Sequence, residues 1–426
     1  MTTADFDTSR EHAEALDAAD ELACLRRQFM IPPDKDDLSC VYLCGNSLGL
    51  QPRLARQYVE EELDDWAELG VEGHLHARRP WLPYHRFATD GLALLTGSEP
   101  QEVVAMNTLT VNLHLLMTTF YRPDAQRRKI LIESTAFPSD RFAVESQLRL
   151  HGHDPADALL EWSPREADGE LFLDDLKAML AESGSEIALL LLPGVQYYNG
   201  QVLPMEALCE LAREHGCRIG LDLAHAIGNV ELELHEWGPD FAAWCCYKYL
   251  NAGPGAVGGA FVHGRHLDAD GSEQLLGWWG HEEASRFKMA ASFTPARGAD
   301  LWQLSNPPIL SLAPVVASLK IFADTGLGKL REKSVRLTSY LSALLDAELA
   351  GRVESITPAN ARGCQLSLVV RDADVPPKTV FDRISVRNVI ADWREPNVIR
   401  AAPVPLYNSF TDVHEFVQRL KQALEA

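Results

Sequence analysis

Short, uninterrupted apolar runs recur along the middle of the chain, at residues 129–132, 187–192, 218–223, 241–247 and 259–263. Each is too short for a typical helix and lacks a polar face, which predicts buried strands. Between some of them lie stretches with apolar positions at helical spacing, such as residues 205–215. Alternation of this kind predicts the α/β class, with a doubly wound and largely parallel sheet. Upstream, residues 60–95 read as mostly helical, broken near Arg79-Pro80-Trp81, because proline cannot continue a helix from within.

The pattern changes after Ser311. Residues 312–349 predict a long helical segment with a break near Thr325-Gly326, and residues 365–370 predict a strand. A helix over 378–387 and an extended stretch over 389–393 follow. The last helix starts at Thr411 and puts Val413, Phe416, Leu420 and Leu424 on one face. These elements predict a smaller α/β domain over 312–426, joined by an N-terminal segment, 1–60, and packed beside a large domain over 61–311.

Composition narrows the class without naming a reaction. Of 426 residues, 46% are hydrophobic and 23% charged, the mix of an ordinary globular protein. A formal net charge of -22 excludes nucleic acid or an anionic membrane as the expected main partner. The acidic N-terminal run has no apolar core of a secretory signal, and the longest aliphatic stretch, 187–192, is too short to span a bilayer. The eight cysteines include no CxxC pair, and Cys245 and Cys246 sit in an apolar run that suits buried thiols. A cytoplasmic, reduced protein is expected.

The candidate chemistry begins at RIGLDLAHA, residues 218–226. Asp222 ends a buried run, so it sits where α/β sheets bind ligands, and a carboxylate there can keep a pyridine nitrogen protonated. His225 can pack over the same ring. Alone, the segment reads equally well as an Asp capping a turn beside a buried His. Lys248 changes that balance, because it follows the run 241–247 directly and precedes a glycine-rich loop. A lysine so placed matches the Schiff-base lysine of aspartate-aminotransferase-like enzymes, and with Asp222 it supplies both attachments of a pyridoxal phosphate ring. The GPGAVG at 253–258 satisfies a dinucleotide-binding pattern but runs into a strand rather than a helix, so it reads as a turn. Leu109 and Thr110 open a helix that can receive a phosphate, and Phe137-Pro138-Ser139-Asp140 offers a flat ring, a hydroxyl and a carboxylate. Taken singly, Thr110 is a plain N-cap and the second segment a plain turn.

Together these segments resemble the kynureninases over nearly the whole chain. The resemblance rests on YLCGNSLG at 42–49, NTLTVNLH at 107–114, FPSD at 137–140, DLAHAIGNVE at 222–231, YKYLNAG at 247–253, GWWGH at 277–281, QLSNPPI at 303–309 and IRAAPVPLYNS at 399–409. It implies a fold-type-I pyridoxal phosphate enzyme, with the cofactor in the large domain. The implied reaction is hydrolysis of L-kynurenine or 3-hydroxy-L-kynurenine to an anthranilate and L-alanine, in tryptophan degradation or NAD biosynthesis. By the same resemblance Lys248 carries the cofactor and moves a proton, with Tyr247 as its acid–base partner. Asp222 pairs with the ring nitrogen, and Phe137 stacks on the ring. Leu109, Thr110, Ser139 and Tyr247 lie at or near the phosphate, and Pro138, Asp140 and His225 belong to the same pocket. Trp278 and Asn306 are expected from the second subunit of a homodimer. Arg400 is expected to clamp the substrate carboxylate, a task suited to guanidinium.

At Pro193 the chain departs from the pattern, since some relatives are expected to place a phosphate-binding hydroxyl there and proline has none. His74, Ser305 and Asn306 are implied around the aromatic end of the substrate, and their hydrogen-bonding side chains lead us to expect 3-hydroxykynurenine as the preferred substrate. The rival on the same fold is a cysteine desulfurase, which needs a mobile nucleophilic thiol. Cys364 is its candidate, and its place before an apolar strand suits a buried structural thiol instead. No metal site is expected.

Overall fold

Seven strands form the central sheet of the computed structural model, which describes residues 7–166, 169–268, 273–289 and 291–426. The first six residues of the acidic N-terminal run lie outside them. The strands are β1 (Val103–Ala105), β2 (Lys129–Glu133), β3 (Leu159–Trp162), β4 (Ile187–Pro193), β5 (Arg218–Asp222), β6 (Phe241–Trp244) and β7 (Gly259–Val262). Their order is β1-β7-β6-β5-β4-β2-β3. β7 runs antiparallel to both neighbours, and the strands from β6 to β3 are mutually parallel. The sheet is therefore doubly wound and largely parallel, as the apolar runs predict.

β4 shows why the runs are continuous rather than alternating. Ile187 through Leu192 are all buried, because the strand lies inside the sheet with both faces covered. At Gly220 of β5 an added Cβ would stand 2.1 Å from the Phe241 ring on β6, so only glycine lets that ring lie flat across the strand. Helix α1 (Arg53–Leu69) packs against the helix Ile309–Thr325, and helices α2 (Leu109–Phe120), α3 (Pro138–Leu150), α4 (Leu173–Ser183) and α5 (Met205–Glu214) cover or flank the sheet. α5 buries Met205, Leu208, Cys209, Leu211 and Ala212 and turns Glu206 and Glu210 to solvent.

Beyond the sheet come α6 (Ile309–Thr325) and α7 (Leu327–Glu348), which meet at Gly326, where the chain takes a left-handed φ of 85°. A second, antiparallel sheet follows, in the order β8 (Val353–Ser355), β9 (Leu366–Val370), β11 (Val398–Ala401), β10 (Asp392–Arg394). It packs with α8 (Pro377–Val386) and α9 (Phe410–Glu425). Val41-Tyr42 pair in parallel with Val389-Ile390, and Asp17 accepts the backbone N–H groups of Phe410 and Thr411 at 2.6 and 3.0 Å. No single helix among the described residues is long and apolar enough to cross a membrane.

Three sequence expectations need correction. The strand expected over 241–247 ends at Trp244, because Cys245 to Tyr247 must leave the sheet to carry the next residue over its edge. β1 was not expected, since three residues carry no periodicity. Nor was β3, an edge strand whose residues are mostly only half-covered.

Candidate active site

The C-terminal ends of the parallel strands open on a cavity of about 300 Å³. It lies where the strand order reverses, with β3 on one side of β2 and β4 to β6 on the other, so the crossovers diverge and leave a crevice. Glu133, Pro193 and Asp222, the last residues of β2, β4 and β5, all reach its wall.

One end of the cavity is built for an anion. α2 and α3 both begin there, and neither Thr108 nor Phe137 at their N-caps uses its side chain to occupy the first-turn N–H groups. Two helix N-termini thus add their positive ends at one place. The Thr110 and Ser139 hydroxyls stand 2.8 Å apart between them. Asn112, fully buried, fixes the start of α2 by donating to the carbonyls of Met106 and Gly259 at 2.8 and 3.3 Å. Leu109 lines the same wall, and Pro138 opens α3 between Phe137 and Ser139.

Lys248 projects into the middle. The chain beyond β6 is held by Gly49 N–H donating to the Tyr247 carbonyl at 2.8 Å and by Asn251 N–H donating to the Lys248 carbonyl at 2.9 Å. Lys248 Nζ then reaches His225 Nε2 at 2.9 Å. Burial, and after it the Lys248 charge, pushes the His225 imidazole well below its ordinary value, so it is neutral and accepts from Lys248. Its Nδ1 is buried with no hydrogen-bond partner among the described residues. Tyr247 lines the wall beside Lys248, and burial pushes its phenol up, which keeps its proton in place at neutral pH.

Three carboxyl groups crowd the opposite wall. Asp222 accepts the Ala224 N–H at 2.8 Å. Burial, reinforced by Asp222, drives the Asp140 carboxyl well above the carboxylate range, and Asp140 Oδ1 has no hydrogen-bond partner among the described residues. Burial also pushes Glu133 up to about 8. Two of the three are thereby biased toward the neutral form, as expected where like charges share a dry site.

At the far end Arg400 is nearly fully buried, and its Nη1 donates to the Tyr197 carbonyl at 2.7 Å. The Tyr197 ring meets Phe137 edge-on at 5.2 Å, and Phe137 itself is 40% exposed, a flat apolar face presented to the cavity.

The fold therefore gathers Leu109, Thr110, Phe137, Ser139, Asp140, Asp222, His225, Tyr247, Lys248 and Arg400 around one space. It does not bring five other candidates to that wall within one chain, and Pro138, at the first turn of α3, is one of them. Trp278 is exposed, packs on Trp279 and Phe287, and donates to the Arg286 carbonyl at 3.3 Å. Ser305 and Asn306 are exposed just before α6. His74 is half-buried, edge-on to Trp81 at 5.4 Å. Sequence reasoning missed Glu133, Tyr197 and Arg394, and gave no role to Asn46 and Ser47 inside YLCGNSLG. Position at the end of the run 129–132 is the signal that could have found Glu133.

Cys364 does not reach this cavity. Its thiol is buried, takes the Ser334 hydroxyl at 3.4 Å and is pushed up to about 11 by burial, which makes it a structural thiol rather than a mobile nucleophile.

Comparison with known proteins adds three observations. The family model described as "Kynureninase C-terminal domain" matches residues 330–420. Curated kynureninases from Xanthomonas campestris pv. campestris (strain B100) and Stenotrophomonas maltophilia (strain K279a) are 52% and 54% identical over 415 residues, 97% of this chain and 97% and 98% of theirs. Among solved structures, the cystine C-S lyase C-DES, in complex with its product cysteine persulfide, superposes with a TM-score of 0.77 at 17% identity, covering 90% of this chain and 97% of that one. A cysteine desulfurase from Escherichia coli superposes with a TM-score of 0.72 at 18% identity, covering 95% and 98%. At such identity these two report the fold alone, which is that of the fold-type-I, aspartate-aminotransferase-like enzymes.

Proposed function

The chain belongs to the kynureninase family, and from that premise we propose that it hydrolyses 3-hydroxy-L-kynurenine in preference to L-kynurenine, yielding 3-hydroxyanthranilate or anthranilate and L-alanine. It is a kynureninase-type hydrolase, and pyridoxal phosphate is its cofactor. The residues fit that group. Two orphaned buried polar atoms, His225 Nδ1 and Asp140 Oδ1, belong to cavity-lining side chains, and the paired hydroxyls at two helix starts suit a phosphate. Thr110 and Ser139 would hold the phosphate, Asp222 the ring nitrogen, Phe137 one ring face and Lys248 the aldehyde carbon. Pro193 lines the wall without a hydroxyl, so these contacts carry the phosphate without its help. When bound, the cofactor withdraws electrons from the substrate's Cα and Cβ.

The chain's own groups account for the proton movements. Lys248 is the base, since its neighbour His225 is neutral and can accept a hydrogen bond from Nζ as the lysine gains or loses a proton. Tyr247, held in its protonated form by burial, is the acid. Arg400 orients the substrate through its α-carboxylate. The observation that carries this reading is the meeting of Lys248, Asp222 and the Thr110–Ser139 pair in one cavity. A parallel assay of the purified protein on kynurenine and 3-hydroxykynurenine tests it, and no cleavage of either overturns it.

Arg400→Lys is expected to raise KM about tenfold while leaving cofactor absorbance unchanged, because a point charge cannot reproduce the guanidinium fork. A silent substitution would argue that Arg400 serves only to tie Tyr197 in place.

Preference for the hydroxylated substrate follows from the polar character of His74, Ser305 and Asn306, if a second subunit brings them to the aromatic end. A site with unpaired polar groups discriminates strongly against a missing hydroxyl. On this reading Trp278, exposed in the single chain, also reaches its partner's cofactor, and the enzyme works as a cytoplasmic homodimer in tryptophan degradation or NAD biosynthesis. Measuring kcat/KM for both substrates decides the preference. A ratio favouring plain kynurenine about tenfold, or ~1.4 kcal/mol, overturns the preference and leaves the hydrolase assignment standing.

A further inference from the structure

Arg394 lines the same cavity as Arg400 and has no part in the proton movements proposed for Lys248 and Tyr247. The two arginines share one carboxylate. Asp392 on β10 stands directly across from Arg400 on β11, and Arg394, two residues further along β10, falls on the same face. Asp392 lies 2.8 Å from Arg400 Nη2 and accepts from Arg400 Nε at 3.3 Å. It lies 2.9 Å from Arg394 Nε and accepts from Arg394 Nη2 at 3.1 Å. Side-chain exposure rises outward, from 1% for Arg400 through 10% for Asp392 to 34% for Arg394, so one arginine is floor and the other rim.

This arrangement poses an electrostatic question for carboxylate recognition. Arg400 paired with Asp392 alone is a neutral couple, and a neutral couple offers an incoming anion only dipoles and spare N–H groups. The second guanidinium restores one net positive charge, which matches one carboxylate. It stands at the cavity mouth, where an arriving substrate meets it first, and its fork is turned by the same aspartate that turns Arg400. We propose that Arg394 is a second substrate-binding residue, taking one oxygen of the α-carboxylate while Arg400 takes the other. The inference rests on the reading that Arg400 faces that carboxylate.

The test uses the holoenzyme with two ligands, L-kynurenine and the amine analogue that lacks its α-carboxylate. Arg394→Gln is expected to raise KM for L-kynurenine about tenfold, keep kcat within about twofold and leave cofactor absorbance unchanged. Binding of the decarboxylated analogue, read as inhibition, should stay as in the parent enzyme. Arg394→Lys, which keeps the charge and loses the fork, should fall between the two. An unchanged KM in Arg394→Gln, or an equal loss for both ligands, overturns the inference. Arg400→Gln, assayed beside it, separates the two failures: if its KM rises while that of Arg394→Gln does not, only the role of Arg394 falls.

Discussion

Replacing Lys248 by alanine is expected to lower turnover of L-kynurenine by about 10²–10⁴-fold or more, the usual worth of a positioned acid–base group. Lys248 Nζ is 2.9 Å from His225 Nε2, and among the described residues no other lysine lines the cavity. Truncation removes the proposed base and the proposed covalent anchor together. The fold should survive, because His225 is held neutral chiefly by burial, so no unpaired buried charge is left behind. Thermal unfolding close to that of the parent protein would check this. Borohydride reduction of the parent should fix the cofactor on the peptide containing Lys248, and the variant should not be labelled. Label on a different lysine sinks the assignment.

Asp222→Ala should lose about 10²–10³-fold in turnover while still binding cofactor, more weakly than before. Asp222 is the last residue of β5, anchored by the Ala224 N–H at 2.8 Å. Its carboxylate is the one proposed to keep the ring nitrogen protonated, and without that charge the ring is a poorer electron sink. The two carboxyls beside it bear on the expected result. Burial, with Asp222 adding to it, raises both Asp140 and Glu133, and removing Asp222 relieves only the smaller cause. Both should therefore stay largely neutral in the variant, and neither should take over its role. Steady-state turnover and the cofactor absorbance spectrum, measured together, separate loss of chemistry from loss of cofactor. Near-parental turnover with a parental spectrum would falsify the pairing.

The sequence-level reading of the site depended on local grammar. An acidic residue closing an apolar run, a lysine between an apolar run and glycines, and helix starts at Leu109 and Pro138 are all properties of a few neighbouring residues. So are the helices 205–214 and 410–425, whose apolar faces repeat at the helical period. The family resemblance then attached roles to these positions, most of which the fold brings into one cavity.

What the chain by itself determined, then, is which elements form and which side chains stand at their ends, because backbone periodicity, caps and turn residues act over a handful of positions. Tertiary structure alone decided which ends meet. The reversal of strand order at β2 and β4 brings Glu133 beside Asp140 and Asp222, residues separated by up to 89 positions, and turns three ordinary acids into a set with two raised members. Pairing of β10 with β11 sets Asp392 between Arg394 and Arg400. It also limits Arg400, which sequence alone presents as a free fork, to the N–H groups that Asp392 and the Tyr197 carbonyl leave open. Burial and charge proximity are sums over neighbours that are distant in sequence, so the neutrality of His225 and the sharing of Asp392 come into existence only when the sheets assemble.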